Sequence, residues 1–216
     1  MVSVTDASST TCTQNQNGTV TITVFPTPSA TINGTTAVCL NATAPQLNFT
    51  GSNGNAAFTF TFTVNGGAIQ TITTTAGNSV TLAVSTSSAG TFTYLLQTVT
   101  DANGATCTQI ATGTAVVTVN PLPTATISGT TSVCLNAPEP QITFTGAGAT
   151  APYTFFYTIN GGATQSVTTT TGNSVTVSAP TPTAGTFTYV LQSVKDASST
   201  LCSQQQSGSV EITIWP

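Results

Sequence analysis

Shifted by 95 positions the chain matches itself without a gap, and no other feature limits its fold as strongly. Residues 27–121 and 122–216 are identical at 51 of 95 positions. Cys12, Cys107 and Cys202 coincide, as do Asp6, Asp101 and Asp196, and Pro26, Pro121 and Pro216. Cys39 meets Cys134, and Asn65-Gly66-Gly67 meets Asn160-Gly161-Gly162. The first 26 residues repeat the last 26, so the chain is expected to start inside one repeat, as a cut from a longer array, with Met1 an added start. A unit of this length exceeds a solenoid turn and suits an immunoglobulin-sized sandwich.

The patterning inside the unit agrees. Phe58, Phe60, Phe62 and Val64 alternate with Thr59, Thr61 and Thr63, and their counterparts are Tyr153, Phe155, Tyr157 and Ile159. Val80, Leu82 and Val84 alternate likewise, as do Phe92, Tyr94 and Leu96. Period two predicts strands with one apolar face and one threonine face. Threonine suits the wet face, because its branched Cβ fits the pleat while its hydroxyl stays hydrated. Asn65-Gly66-Gly67 signals a hairpin, and Ala76-Gly77-Asn78, Ser88-Ala89-Gly90 and Asp101-Ala-Asn-Gly104 mark further turns. Strands are predicted over roughly 29–39 (kinked at Gly34), 46–50, 57–64, 68–74, 79–84, 91–100 and 106–119. No amphipathic helix is predicted. The fold class is therefore all-β, with tandem immunoglobulin-like β-sandwiches of about seven strands set end to end. The expected divisions are 1–26, the last strands of a truncated preceding repeat, then repeats at 27–121 and 122–216. Pro26-Thr-Pro28 and Pro121-Leu-Pro123 are short, stiff linkers of polyproline character.

Composition removes whole classes of function. The chain has one Lys, no Arg, no His and five acidic residues. One positive charge cannot neutralise a row of phosphates, so nucleic acid is not expected as a partner. No apolar run is long enough for a membrane-spanning helix, and membrane insertion is not expected. The first residues lack the basic start and apolar stretch of a signal peptide. Without His, and with scattered acids, an acid–base pair for catalysis has almost no source, so no enzyme and no cofactor are expected. Hydration falls instead to the 52 threonines and the other uncharged polar residues.

The five cysteines follow the repeat. One pairing is within each unit, Cys39–Cys107 and Cys134–Cys202, with Cys12 unpaired in the fragment. The other crosses the linkers, Cys12–Cys39 and Cys107–Cys134, and leaves Cys202 alone. Sequence does not decide between them, nor against buried free thiols. The first ties the opening and closing strands of a sandwich together, which favours it. Any disulfide implies an oxidising compartment and hence export.

Several segments carry a resemblance. Gly90-Thr-Phe-Thr-Tyr-Leu-Leu-Gln-Thr-Val-Thr-Asp101, repeated as Gly185-Thr-Phe-Thr-Tyr-Val-Leu-Gln-Ser-Val-Lys-Asp196, resembles the penultimate strand of PKD domains. Ala125-Thr-Ile-Ser-Gly-Thr-Thr-Ser-Val-Cys-Leu-Asn136 resembles the opening of PKD-like and immunoglobulin-like repeats, and Val117-Thr-Val-Asn-Pro-Leu-Pro123 is similar to their linkers. The resemblance is to tandem repeats of Bacteroidetes cell-surface adhesins of the gliding-motility type, and it covers the whole chain. It implies an extracellular, cell-surface location, export by type IX secretion, and pairing of the opening cysteine with the late one, Cys39–Cys107 and Cys134–Cys202. The Trp-Asp-Phe-Gly-Asp-Gly strand end of the PKD pattern is absent. Phe60-Thr-Phe-Thr-Val-Asn-Gly-Gly67 and Phe155-Phe-Tyr-Thr-Ile-Asn-Gly-Gly162 stand there, which puts PKD-type calcium binding in doubt.

Individual candidates are few. Asp6, Asp101 and Asp196 are read as Asx-turn residues rather than calcium ligands, since no other acid lies near them in sequence. Lys195 matches Thr100 and Thr5, so the repeat does not require it, and it is expected to be exposed. Trp215 matches Asn120 and Phe25 and is expected to pack where units meet. Phe156 replaces Thr61 and is the better candidate for an exposed aromatic. Tyr94 and Tyr189 resemble tyrosine-corner residues with a packing role. The Thr rows (Thr59, Thr61, Thr63; Thr73, Thr74, Thr75) follow from half-buried strands rather than from a ligand face. The sequons headed by Asn17, Asn33, Asn41 and Asn48 are treated as coincidence in a Thr-rich chain. The expected function is a non-catalytic stalk or spacer of a large secreted surface adhesin or filament, for adhesion or gliding motility. Its expected partners are neighbouring repeats, other copies of the chain in a filament, and an unidentified surface or glycan ligand. The alternative is a carbohydrate-binding β-sandwich, which needs a cluster of exposed aromatics.

Overall fold

The computed structural model describes residues 2–102 and 107–216. Asn103 and Gly104, part of the turn predicted after Asp101, lie outside the described residues. The described chain is all-β. A leading hairpin pairs β1 (Ser3–Thr5) with β2 (Thr13–Asn15). Then come β3 (Ser29–Asn33), β4 (Thr36–Cys39), β5 (Gln46–Ser52), β6 (Thr59–Val64), β7 (Gln70–Thr73), β8 (Ser79–Ala83), β9 (Gly90–Thr100) and β10 (Thr108–Asn120). The second set is β11 (Thr124–Ser128), β12 (Thr131–Cys134), β13 (Gln141–Ala147), β14 (Thr154–Ile159), β15 (Gln165–Thr168), β16 (Ser174–Ser178), β17 (Gly185–Lys195), β18 (Ser203–Gln205) and β19 (Ser209–Trp215).

Each set makes a sandwich of two sheets. In the first, β3-β5-β8 faces β4-β10-β9-β6-β7; in the second, β11-β13-β16 faces β12-β19-β17-β14-β15, with β18 beside β17. The strand predicted over 29–39 is two strands in different sheets, which raises the predicted seven to eight in the first sandwich. Gly34 is the reason. Its φ is +118°, and a Cβ there would sit 2.6 Å from the Gln46 carbonyl oxygen, so only glycine lets the chain cross between sheets. After the crossing β4 runs parallel to β10, with Cys39 opposite Asn120. Its counterpart β12 runs parallel to β19, with Cys134 opposite Trp215.

The alternation places the core as predicted. Phe58, Phe60 and Phe62 are buried, and Phe49 packs between the sheets with ring centroids 5.7 Å from Phe60 and 5.1 Å from Phe62. Tyr153, Phe155 and Tyr157 repeat this around Phe144. Burial of several large rings in each unit supplies most of its stability, at about 25 cal/mol per Å² of apolar surface removed from water. The threonine faces do more than stay wet. Hydroxyls pair across strands at Thr59–Thr73 (3.0 Å), Thr61–Thr98 (2.6 Å), Thr100–Thr108 (2.8 Å) and Thr154–Thr168 (2.9 Å). Such pairs each add roughly 0.2–1 kcal/mol to a sheet.

In the leading segment the described strands are β1 and β2 alone. Val20, Ile22 and Val24 are 83–87% exposed, whereas their counterparts Val210, Ile212 and Ile214 are buried in β19.

Candidate functional site: the joint between the two sandwiches

The geometry that stands out is built by one small loop and one strand end. The loop joins hydrogen-bonded neighbours, β1 to β2, β9 to β10 and β17 to β18, and the same backbone hydrogen bond closes it in every copy. The Asp6 amide donates to the Cys12 carbonyl (3.0 Å), Asp101 to Cys107 (3.1 Å) and Asp196 to Cys202 (2.9 Å). The aspartate side chain holds the loop from inside. Asp6 Oδ1 accepts from the Ser8 and Cys12 amides at 3.2 and 3.0 Å, and Asp101 Oδ1 accepts from the Cys107 amide at 3.1 Å. Asp196 Oδ1 accepts from the Ser198 hydroxyl at 2.8 Å. These are the interactions of Asx-type turns, and no cluster of three or more metal-ligating side chains occurs among the described residues. Asp101 and Asp196 are buried, and Asp196 Oδ2 has no hydrogen-bond partner. Hydrogen bonds from the Ser8 hydroxyl and amide hold the Asp6 carboxyl below the usual carboxylate range. The effect of the second and third loops is to fix one cysteine at one end of each sandwich, Cys107 and Cys202.

The strand end fixes the other. Because β4 runs parallel to β10, Cys39 lies beside Asn120, where the chain leaves the sandwich. Cys107 lies at the opposite end, where β10 begins. A strand of this length spans roughly 40 Å, far beyond the 4.4–6.8 Å Cα separation of a disulfide. The within-unit pairs Cys39–Cys107 and Cys134–Cys202 are thus ruled out by strand direction, and the expectation is corrected. The linker-crossing pairs do not form either. Cys39 is bonded to Cys202, with Cα atoms 5.7 Å apart and a sequence separation of 163. Cys12, Cys107 and Cys134 are free thiols.

This bond sets the two sandwiches end to end. Thr200 fills the corner around it: its hydroxyl lies 3.4 Å from Cys39 Sγ and 3.0 Å from Cys202 Sγ, and accepts from Asn120 Nδ2 at 2.8 Å. Among the described residues the joint is held by the Pro121-Leu-Pro123 linker, the Cys39–Cys202 bridge and the hydrogen bond from Asn120 to Thr200. Cys202 is buried by it, while Cys134 at the far end of the second sandwich is exposed.

The remaining candidates scatter. Trp215 is 60% exposed beside Cys134 rather than packed at the joint. Lys195 and Phe156 are half-buried on neighbouring strands β17 and β14. Tyr94 and Tyr189 lie in the two cores, as their packing role requires. A shallow apolar groove beside Pro180, Pro182 and Phe187 reaches Tyr189, but that ring is only 2% exposed. The exposed aromatic cluster that sugar stacking needs is not assembled there. No described helix is long and apolar enough to cross a membrane.

No protein-family model matches the chain, nor does any curated protein. Solved structures do match its fold. One is described as a Ca2+-stabilized adhesin that helps an Antarctic bacterium reach out and bind ice; it shares 19% identity at a TM-score of 0.50, over 98% of this chain and 55% of its own. The chain thus spans about half the length of that protein. A second is a 1.5-MDa bacterial ice-binding adhesin, with 19% identity, a TM-score of 0.44, and 88% and 65% of the two chains covered. A third is a tetra-tandem repeat from the extending region of a large adhesion protein, with 20% identity, a TM-score of 0.36, and 93% and 52% covered. What the first of these shares with the chain is the fold.

Proposed function

We propose that the chain is a stretch of a non-catalytic spacer from a large surface adhesin or filament. Its parts are repeats at 27–121 and 122–216, preceded by the closing hairpin of another at 1–26. The observation that carries the reading is the Cys39–Cys202 bridge, because it fastens one sandwich to the next instead of bracing either. A disulfide needs an oxidising compartment, which favours an extracellular, cell-surface place. The adhesin repeats of similar fold favour the same role. Export by type IX secretion, a PKD-like lineage and service in gliding motility go with the sequence resemblance and belong to this proposal. Near-absence of charge and paired hydroxyl faces make cohesion of the rod independent of ionic strength.

Small-angle X-ray scattering of the oxidised chain tests the reading. Two sandwiches in line, each about 40 Å long by its strand lengths, give a body about 80 Å long. A maximum dimension near that of a single sandwich would refute the spacer.

A further inference from the structure

The joint uses one cysteine of each sandwich and leaves the repeat-equivalent cysteines idle. Cys134 is the counterpart of Cys39, held at the end of β12 opposite Trp215 as Cys39 is held opposite Asn120. Cys107 is the counterpart of Cys202, held by the same Asp-closed loop. Both are free, and they lie at opposite ends of the two-sandwich body, Cys134 exposed and Cys107 half-buried. They are too far apart to meet within one chain. We propose that these ends are the two open halves of the joint already formed at Cys39–Cys202, and that copies of this chain couple head to tail through a Cys134–Cys107 disulfide.

The interface is heterologous, with different patches on the two partners, so each addition leaves another Cys134 end and another Cys107 end open. Such contacts build linear filaments rather than closed dimers. The oxidant is a low-molecular-weight disulfide such as glutathione disulfide. The Cys134 thiolate attacks it, forms a mixed disulfide and expels one glutathione. The Cys107 thiolate of a second copy then attacks the Cys134 sulfur and expels the other. Two thiols become one protein disulfide, their two protons leave to solvent and the glutathione thiolates, and one glutathione disulfide becomes two glutathiones. Trp215, the single tryptophan of the chain, stands beside Cys134 and reports the event. Docking of a second copy there moves it out of water.

The experiment uses the full chain carrying Cys12→Ser, which removes the thiol of the leading hairpin. Incubated with glutathione disulfide, this protein is expected to give a ladder in steps of 21.7 kDa. The ladder collapses on reduction, and tryptophan emission shifts to shorter wavelength as it grows. Peptic mapping is expected to recover Cys107 joined to Cys134. The deciding arm adds Cys107→Ser or Cys134→Ser to the same background. Each double variant alone is expected to stay monomeric, and an equal mixture to give dimers linked Cys134 to Cys107. Absence of multimers, or dimers formed as readily by either double variant alone as by the mixture, would overturn the proposal. Either result leaves the spacer reading untouched, since that rests on the intramolecular bridge.

Discussion

Pulling the molecule by its two ends tests the bridge most directly. The covalent path from one terminus to the other does not pass through the bodies of the sandwiches. It runs down β3 and β4 to Cys39, crosses to Cys202, and continues through β18 and β19 to Pro216. The segment between the bridged cysteines, which are separated by 163 positions in sequence, hangs off this path and carries no tension. The residues that remain on it are already extended strands or the leading hairpin, so unfolding adds little length. An extended chain spans at most about 3.3–3.6 Å per residue, so the bridge withholds about 550 Å of contour. Single-molecule force spectroscopy reads this length. The oxidised protein is expected to show almost no unfolding extension, and either Cys39→Ser or Cys202→Ser alone is expected to release the full length. Within-unit pairs would behave differently, because each closes a loop of 68 residues. Losing one such pair would release only about 240 Å. A gain of that smaller size in Cys39→Ser would refute the assignment.

If the second sandwich unfolds while the first stays intact, the bridge holds a loop of about 80 residues closed, worth about 4–5 kcal/mol in the chain-entropy account. The converse holds for the first sandwich, so Cys39→Ser is expected to lower both thermal transitions in calorimetry, and Cys107→Ser neither. Gly51 and Gly146 lie against aromatic rings, where a Cβ would come 2.5 Å from Phe58 Cγ or Tyr153 Cγ. Gly51→Ala and Gly146→Ala are each expected to destabilise their own sandwich by about 1–3 kcal/mol, measured by urea unfolding. Burial pushes the Tyr94, Tyr157 and Tyr189 phenols above their ordinary value, and for Tyr189 the neighbouring Tyr157 and Glu139 charges add to it. A raised folded-state pKa means stability is full below the unfolded value of about 10 and is lost as pH rises through the folded one. Ultraviolet absorbance is expected to show tyrosinate appearing together with unfolding. Asp6 is the opposite case: its lowered pKa lends the leading hairpin stability above about pH 4 that is lost as pH falls through the folded value. The protection of the Cys12 amide against hydrogen exchange, relative to an unstructured amide at the same pH, is expected to fall in acid.

Much of this architecture was legible in the residues. Alternation of Phe58, Phe60 and Phe62 with threonines located a strand and its buried face, and Asn65-Gly66-Gly67 located a hairpin. Asn65 and Gly66 indeed take φ values of 51° and 70°, the positive pair such a turn needs. Gly34 marked a kink, although not that the kink carries the chain into the other sheet. The expected cysteine pairing ties the first and last strands of a sandwich together without regard to which ends of those strands the cysteines occupy. A signal was present nonetheless. Cys39 follows the linker by one strand length and Cys107 precedes the next linker by one strand length, so a sandwich entered at one end and left at the other must hold them apart. The hydroxyl pairing of the threonine faces was not legible, since it depends on register between strands distant in sequence.

The parallel run of β4 alongside β10 has a mechanical meaning of its own. Once the Cys39–Cys202 bridge is reduced and the load passes through the sandwich, tension applied along the body draws these neighbouring strands in opposite directions parallel to their length. Their ladder hydrogen bonds then lie across the load and resist it in shear, as a group, instead of parting one after another as in a hairpin peeled from its open end. The glycine that lets the first strand change sheets therefore places the strongest arrangement of an ordinary β-ladder between the points where force enters and leaves.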